Sequence, residues 1–161
     1  MRNHRVSFIT LLVAAALLQA CDRAPDQAKV QGDVAKAQAD GQKMIVDAQA
    51  KLDQVAAKNN KEVVNAQVDA RADNANNPPT TTPADNDVAK ARKEANEDMA
   101  DAQYNLEKAK GEAAHNVAKA QCEAQTGDDE KACKDSAKVR YESAIAEAKA
   151  KADAMHRRNK G

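Results

Sequence analysis

Residues 122–133 read CEAQTGDDEKAC and decide how the C-terminal half of the chain folds. On one unbroken helix the two cysteines would lie about 16 Å apart, at about 1.5 Å per residue, which is beyond the reach of a disulfide. Gly127 favours the end of one helix, and Thr126 with Asp129 resembles the capping box that begins another. If the chain reverses at Gly127, the two cysteines meet at the same height on antiparallel helices.

Apolar and small residues recur every three or four positions on both sides of this stretch, which is the period of an α-helix with one weakly apolar face. Three such stripes predict three helices. The first comprises Val30, Val34, Ala37, Gly41, Ile45, Ala48, Leu52, Val55, Asn59, Val63, Ala66 and Ala70. The second comprises Val88, Ala91, Ala95, Met99, Ala102, Leu106, Ala109, Ala113, Val117 and Ala120. The third comprises Cys133, Ala137, Tyr141, Ala144, Ala148, Ala152 and Met155. Gly41 and the pair Asn59-Asn60 predict local fraying of the first helix.

The first two helices look like copies of one unit. With a constant offset of 54 positions, the motif at residues 33–37 (DVAKA) recurs at 87–91, and Asp47-Ala-Gln recurs at Asp101-Ala-Gln. Shared Ala-rich composition is the alternative explanation. An ungapped register that also aligns the rare Leu52 with Leu106 favours duplication. Repeated helices with small apolar residues pack closely on similar helices, which indicates a helical scaffold.

The composition argues against an ordinary globular enzyme. Of 161 residues, 37 are Ala, and the chain has one Phe, two Tyr and no Trp. Beyond residue 20 only ten Val, two Ile and two Leu remain. These 14 bulky aliphatic residues are about 10 % of the 141 residues beyond residue 20. A packed core becomes doubtful below roughly 20 %, because the apolar area that can be buried is then too small to offset the chain entropy. The balance of 25 basic and 25 acidic residues gives no nucleic-acid footprint, so no nucleic-acid partner is expected.

The N-terminus has the pattern of an export signal. Arg2 and Arg5 begin it, and residues 6–18 form an apolar run of 13 residues, too short for a membrane span of about 20. The run ends in Leu18-Gln19-Ala20-Cys21, which resembles the lipobox of bacterial lipoproteins. The resemblance implies cleavage before Cys21, a diacylglycerol on its sulfur and acylation of its amine, and therefore a lipid anchor. An ordinary secretory signal followed by a chance cysteine is the alternative.

Export has two consequences for the rest of the chain. Asp22 follows the lipid-bearing position, and in enterobacterial lipoproteins this residue is associated with retention in the inner membrane. We therefore expect the periplasmic side of the envelope, with the inner membrane preferred over the outer. An oxidising compartment also predicts that Cys122 and Cys133 form an intramolecular disulfide.

The chain thus divides into six segments, and the expected fold class is all-α. Extended Ala-rich helices end in a disulfide-clamped helical hairpin, with a partly disordered linker between them. The linker contains three prolines, and Asp87 behind it is a candidate N-cap. The segments are a signal peptide (1–20), a tether (21–29), an Ala-rich helix (30–72), the linker (73–86), the hairpin (87–156) and a basic tail (157–161).

Residues 87–152 contain Cys122, a Gly-Asp turn, Cys133 and a later Tyr-x-x-Ala at residues 141–144. With these features the segment resembles a group of uncharacterised Ala-rich, TolA-like envelope proteins of proteobacteria. The resemblance implies residence in the envelope and a helical shape. It does not imply a part in the Tol system, because TolA is held by a transmembrane helix and ends in a globular domain, neither of which this sequence predicts.

The sequence predicts no catalytic residues, no cofactor and no metal site. His115 and His156 have no neighbouring nucleophile, no C-x-x-C motif is present, and the glycines form no phosphate-binding loop. A metal site built from His115, Cys122 and Cys133 is an alternative that lacks a fourth ligand. Acidic and basic residues spaced four apart are typical of a solvated helix surface rather than of an acid–base pair.

These patterns predict a non-enzymatic, lipid-anchored structural or interaction element of the cell envelope. Its expected partners are the membrane, through the lipid, and either a second copy or another helical protein. The basic C-terminal end is either favourably placed at a helix C-terminus or a contact for anionic envelope polymer or lipid headgroups. The alternative function is a stress-protective protein whose amphipathic helices fold on a client or a membrane, although stripes of Ala disfavour insertion.

Overall fold

Three long α-helices make up the protein in a computed structural model, which describes residues 26–76 and 83–159. They are α1 (Gln27–Asn76), α2 (Pro83–Cys122) and α3 (Gly127–Arg158). No strand occurs in these two described ranges. The all-α prediction is therefore confirmed, and α1 alone, with 50 residues, is about 75 Å long.

The helices begin at residues whose chemistry explains the position. The Asp26 carboxylate accepts hydrogen bonds from the N–H groups of Ala28 (3.0 Å) and Lys29 (3.4 Å), and this cap starts α1 three residues before the predicted residue 30. Helix α2 starts at Pro83, where a proline costs no hydrogen bond, so the expected N-cap Asp87 lies inside the helix. Of the predicted linker, residues 77–82 lie outside the described residues, and the rest is helical.

Helices α1 and α2 are antiparallel and touch closely at two points. A Cβ built on Gly41 would lie 2.8 Å from Ala113 Cβ, so only glycine allows this approach. Farther along, the Asn59 side chain is 4 % exposed and its Nδ2 donates a hydrogen bond of 2.8 Å to the Ala95 carbonyl. The expected fraying at these positions is wrong, because contact with α2 stabilises an unbroken helix there.

Helix α2 lies between α1 and α3 and uses nearly opposite faces for them. Ala113 faces Gly41 of α1, whereas a Cβ on Gly111 would contact Ile145 and Tyr141 of α3. Positions two residues apart on a helix are separated by about 200° around its axis. Within the described residues, no Cα of α1 lies within 8 Å of a Cα of α3. The three helices therefore form an open layer rather than a closed bundle.

The reversal between α2 and α3 occupies residues 123–126. The N–H groups of residues 123, 124 and 125 donate to the carbonyls three positions earlier, at 3.3, 3.2 and 3.0 Å, which ends α2 in a tight 3₁₀-type turn. Gly127 has φ +63 and begins α3 instead of ending α2. Thr126 is the N-cap with extended backbone, but its side chain makes no capping hydrogen bond, so the predicted capping box is wrong.

Nearly all predicted stripe positions are buried or half-buried, so the first two stripes are confirmed in full. In α3, Ala144 is exposed, and Ile145 beside it is half-buried instead. The second face of α2 was not predicted; its most buried residue is Ala100, with 0 % exposure. A chain that is Ala-rich on every side shows one stripe clearly and conceals a second one.

Candidate functional site

The disulfide closes the hairpin at the turn end of α2 and α3. Cys122 and Cys133 are joined with their Cα atoms 5.6 Å apart, as the sequence predicts. Cys122 is 1 % exposed, so the bond lies inside the packing of the two helices. Nearby, the ring of His115 stacks on Tyr141 with centroids 5.1 Å apart, and its Nδ1 lies 3.3 Å from the Ala137 carbonyl oxygen.

This arrangement uses the three residues that formed the alternative metal site. Both sulfur atoms are bonded to each other, and the His115 ring is packed against α3. In the part of the chain that the structure describes, no group of three or more His, Cys, Asp or Glu residues is placed to hold a metal ion. The disulfide joins α2 to α3 at this end of the hairpin.

A groove of about 1020 Å³ runs along one side of the α1–α2 pair. Ala48, Val55, Ala102 and Ala109 form its apolar floor, and charged or polar side chains form its two edges. On the α1 edge these are Asp47, Lys51, Gln54 and Lys58, and on the α2 edge they are Asp98, Asp101 and Asn105. Sequence analysis missed this groove, because it depends on how the two helices pair.

The groove has an internal symmetry that follows from the offset of 54 positions. Gly41 contacts Ala113, and Asn59 contacts Ala95. The offset of 54 relates Gly41 to Ala95 and Asn59 to Ala113, so it relates each of these two contacts to the other. Five groove positions of α1 recur on α2 in the same way. The pairs are Met44 and Asp98, Asp47 and Asp101, Ala48 and Ala102, Lys51 and Asn105, and Val55 and Ala109. An approximate twofold axis therefore passes through the groove.

The symmetry does not extend to charge. The α1 edge carries two lysines and one aspartate, whereas the α2 edge carries two aspartates and no cation. One ion pair crosses the groove within the chain, between Lys58 Nζ and Asp98 Oδ2 at 3.4 Å. Both side chains are about half exposed (60 % and 46 %), so solvent and salt screen this pair.

The remaining ion pairs run mainly along single helices and shift a few pKa values. The pKa of Glu147 is lowered by its hydrogen bond with Lys151 and then by the lysine charge. The pKa of Asp153 is lowered first by its hydrogen bond with Lys149. The pKa of Lys29 is raised mainly by its hydrogen bond to Asp33. Each of these three pairs is solvent-exposed and joins residues four positions apart, a spacing at which ion pairs stabilise a helix weakly.

The basic end of α3 packs back on α2. His156 Nε2 lies 3.0 Å from Asp101 Oδ1, and Asn159 Nδ2 donates to the Lys93 carbonyl at 3.3 Å. Asn96 Nδ2 donates to Asn159 Oδ1 at 3.2 Å. The last turn carries His156, Arg157 and Arg158, a favourable position for cations at a helix C-terminus.

The two ends of α3 lie at different levels of the layer. Lys29 in the first turn of α1 lies 3.9 Å from Glu123 in the disulfide turn, so these two features share one end. Asn59 meets Ala95, beside Asn96, which holds the end of α3. This level lies about 48 Å along α1 from its first residue, at about 1.5 Å per residue.

Cys21, the predicted lipidation site, lies outside the described residues, as does Asp22. Among the helices that the structure describes, none combines the length and hydrophobicity needed to cross a membrane. The chain thus has the architecture of an open antiparallel three-helix protein with a disulfide-closed hairpin. Comparison of the chain with protein-family models, with curated proteins and with solved structures found no match.

Proposed function

We propose that the protein is a lipid-anchored, non-enzymatic element of the bacterial cell envelope that uses its helical layer as a structural or interaction surface on the periplasmic side. The single observation that carries this proposal is the sequence Leu18-Gln19-Ala20-Cys21 at the end of the apolar run of residues 6–18. The open layer supports it, because helices packed on only one or two faces offer the others to partners.

The proposed anchor gives the layer a direction. Five residues lie between Cys21 and Gln27, and the six Cα–Cα steps that join the two residues span at most about 20 Å. The first turn of α1 and the disulfide turn are therefore held near the lipid. The basic end of α3 lies about 48 Å farther along the helix axis, at about 1.5 Å per residue. This distance favours a contact with anionic envelope polymer over the headgroups of the anchoring membrane.

The anchor is tested by metabolic labelling of the full chain with radiolabelled palmitate. The wild-type protein should be labelled, shortened by signal cleavage and recovered with membranes, whereas Cys21→Ser should remain an unlabelled precursor. Asp22→Ser is the matched control, because it leaves the acylated cysteine in place and should still be labelled. Equal labelling of the wild type and of Cys21→Ser would contradict the proposal.

The partner of the basic end is tested with the lipidated protein anchored in detergent-free nanodiscs of uncharged lipid. Purified peptidoglycan sacculi and vesicles of 30 % anionic lipid are compared as binding partners. Replacing Arg157 and Arg158 by Gln should weaken sedimentation with sacculi at low salt, since electrostatic binding depends on the number of cations. Vesicle binding that falls with the same variant, while sacculi binding is unchanged, would favour lipid headgroups instead.

A further inference from the structure

We propose that the groove between α1 and α2 is the docking surface for a second copy of this chain, so that two α1–α2 pairs form an antiparallel four-helix core. The proposal goes beyond the function above, since it names the partner and the surface and does not require the lipid anchor. It is supported by the symmetry of the groove and by the signs of charge on its edges.

The internal symmetry makes a second copy the natural occupant. Groove positions of α1 recur on α2, so a second pair placed face to face presents equivalent positions to each edge. A rotation about an axis parallel to the helices puts α1 of one copy over α2 of the other. In this arrangement all neighbouring helices are antiparallel, as in four-helix bundles built from two hairpins. Helix α3 packs on the other side of α2 and reaches the edge of the groove where His156 Nε2 lies 3.0 Å from Asp101 Oδ1.

The charges select this rotation over the alternative one. At the register fixed by the Asn59–Ala95 contact, Lys58 of one copy lies near the level of Asp98 of the other, and Lys51 lies near the level of Asp101. Each lysine edge therefore faces an aspartate edge, twice per dimer. A rotation about an axis perpendicular to the helices would instead place α2 over α2. It would bring two aspartate edges together with no lysine edge facing either of them.

Docking of a second copy would also bury the apolar side chains on the floor of the groove. Ala48 and Val55 of α1 line the groove with Ala102 and Ala109 of α2, and Met44 lies at one end. Met44 and Val55 are only half-buried in the single chain, and a second copy would cover them. A chain with so few bulky aliphatic residues has few other ways to add buried area.

Charge reversal on full-length, lipidated protein tests this surface. One variant carries Lys51→Asp and Lys58→Asp, a second carries Asp98→Lys and Asp101→Lys, and a third carries all four changes. Each variant is produced with two different tags in the same cells, extracted in detergent, and the co-purified fraction is measured. The matched control is Lys138→Asp with Lys149→Asp, two exposed lysines of α3 outside the groove.

We expect wild-type copies to co-purify and either two-residue reversal alone to lower co-purification about tenfold, which corresponds to about 1.4 kcal/mol. Mixing the two reversed variants should restore pairing, because each lysine edge again meets an aspartate edge. This mixture does not restore the Lys58–Asp98 pair within either chain, so recovery cannot come from that contact.

The four-residue variant distinguishes loss of the docking contact from a folding defect. It keeps opposite charges across the groove, so it should pair with itself and not with the wild type. Circular dichroism on each variant checks helix content. Three results would each overturn the proposal. They are wild-type chains that do not co-purify, reversals that act no differently from the α3 control, and a four-residue variant that pairs equally with the wild type.

Discussion

Adding a single methyl group to Gly41 tests whether α1 packs on α2 as described. The new Cβ would lie 2.8 Å from Ala113 Cβ and 3.3 Å from Ala113 Cα, so backbone as well as side chain must move. Overpacking of this kind costs about 1–3 kcal/mol, while replacing Gly by Ala in a helix gains about 1 kcal/mol. We expect Gly41→Ala to lower the free energy of unfolding by about 0–2 kcal/mol, the difference of these terms.

Gly32 provides the matched control in the same helix. No atom lies within 4 Å of a Cβ built there, so Gly32→Ala should show only the helix gain of up to about 1 kcal/mol. The two substitutions should therefore differ in sign or by about 1–3 kcal/mol in urea denaturation followed by circular dichroism at 222 nm. Adding Ala113→Gly to Gly41→Ala should give a favourable coupling energy, because it removes the clash. If Gly41→Ala stabilises the protein as much as Gly32→Ala, α1 does not approach α2 at this point.

Three further substitutions test other parts of the structure. Asn59→Ala should raise the free energy of unfolding by about 1 kcal/mol, because the lost hydrogen bond is outweighed by removal of the buried, unpartnered Oδ1 and by higher helix propensity; urea denaturation that shows a loss would contradict this. Replacing Cys122 and Cys133 together by Ala should lower the stability of the hairpin by about 3 kcal/mol in the chain-entropy model and leave helix content nearly unchanged, as a thermal melt followed by circular dichroism would show. The lowered pKa of Glu147 stabilises the fold fully above its ordinary value of 4.5, and the contribution is lost as pH falls through the lower folded pKa. NMR titration of its carboxyl carbon should show this lowered pKa, and Lys151→Ala should raise it; an unchanged midpoint would show that the pair does not form.

Much of the fold follows from sequence periodicity, because helical spacing of even small residues marks the face that becomes buried. All stripe positions of α1 and α2 are buried or half-buried, and the Cys122–Cys133 bond follows from the placement of a turn between the cysteines. Helix propensity, which is a local property, predicts weak points at Gly41 and Asn59. In the structure both residues pack directly on α2, which the propensities of a single helix cannot reveal.

The second face of α2 and the groove were not predictable in the same way. Ala100 and Gly111 face α3. In the sequence, however, nothing distinguishes Ala100 from the exposed alanines of the same helix. The repeat did align Asp47 with Asp101, but only the pairing register of the helices shows that both lie in one groove. The sequence repeat thus indicates which positions of α1 and α2 are equivalent. Only the antiparallel packing of the two helices shows that these positions line one groove.

The hairpin closed by Cys122 and Cys133 organises the C-terminal half of the chain, and mass spectrometry of unreduced protein shows whether this bond forms. Full-length protein is extracted from cell envelopes with free thiols blocked, and then digested with trypsin, which cuts after Lys119, Lys131 and Lys134. We expect peptide 120–131 to be recovered joined to peptide 132–134, because the cut after Lys131 leaves only the disulfide between them. Recovery of both cysteines as blocked thiols, or of Cys122 joined to Cys122 of another chain, would contradict the hairpin.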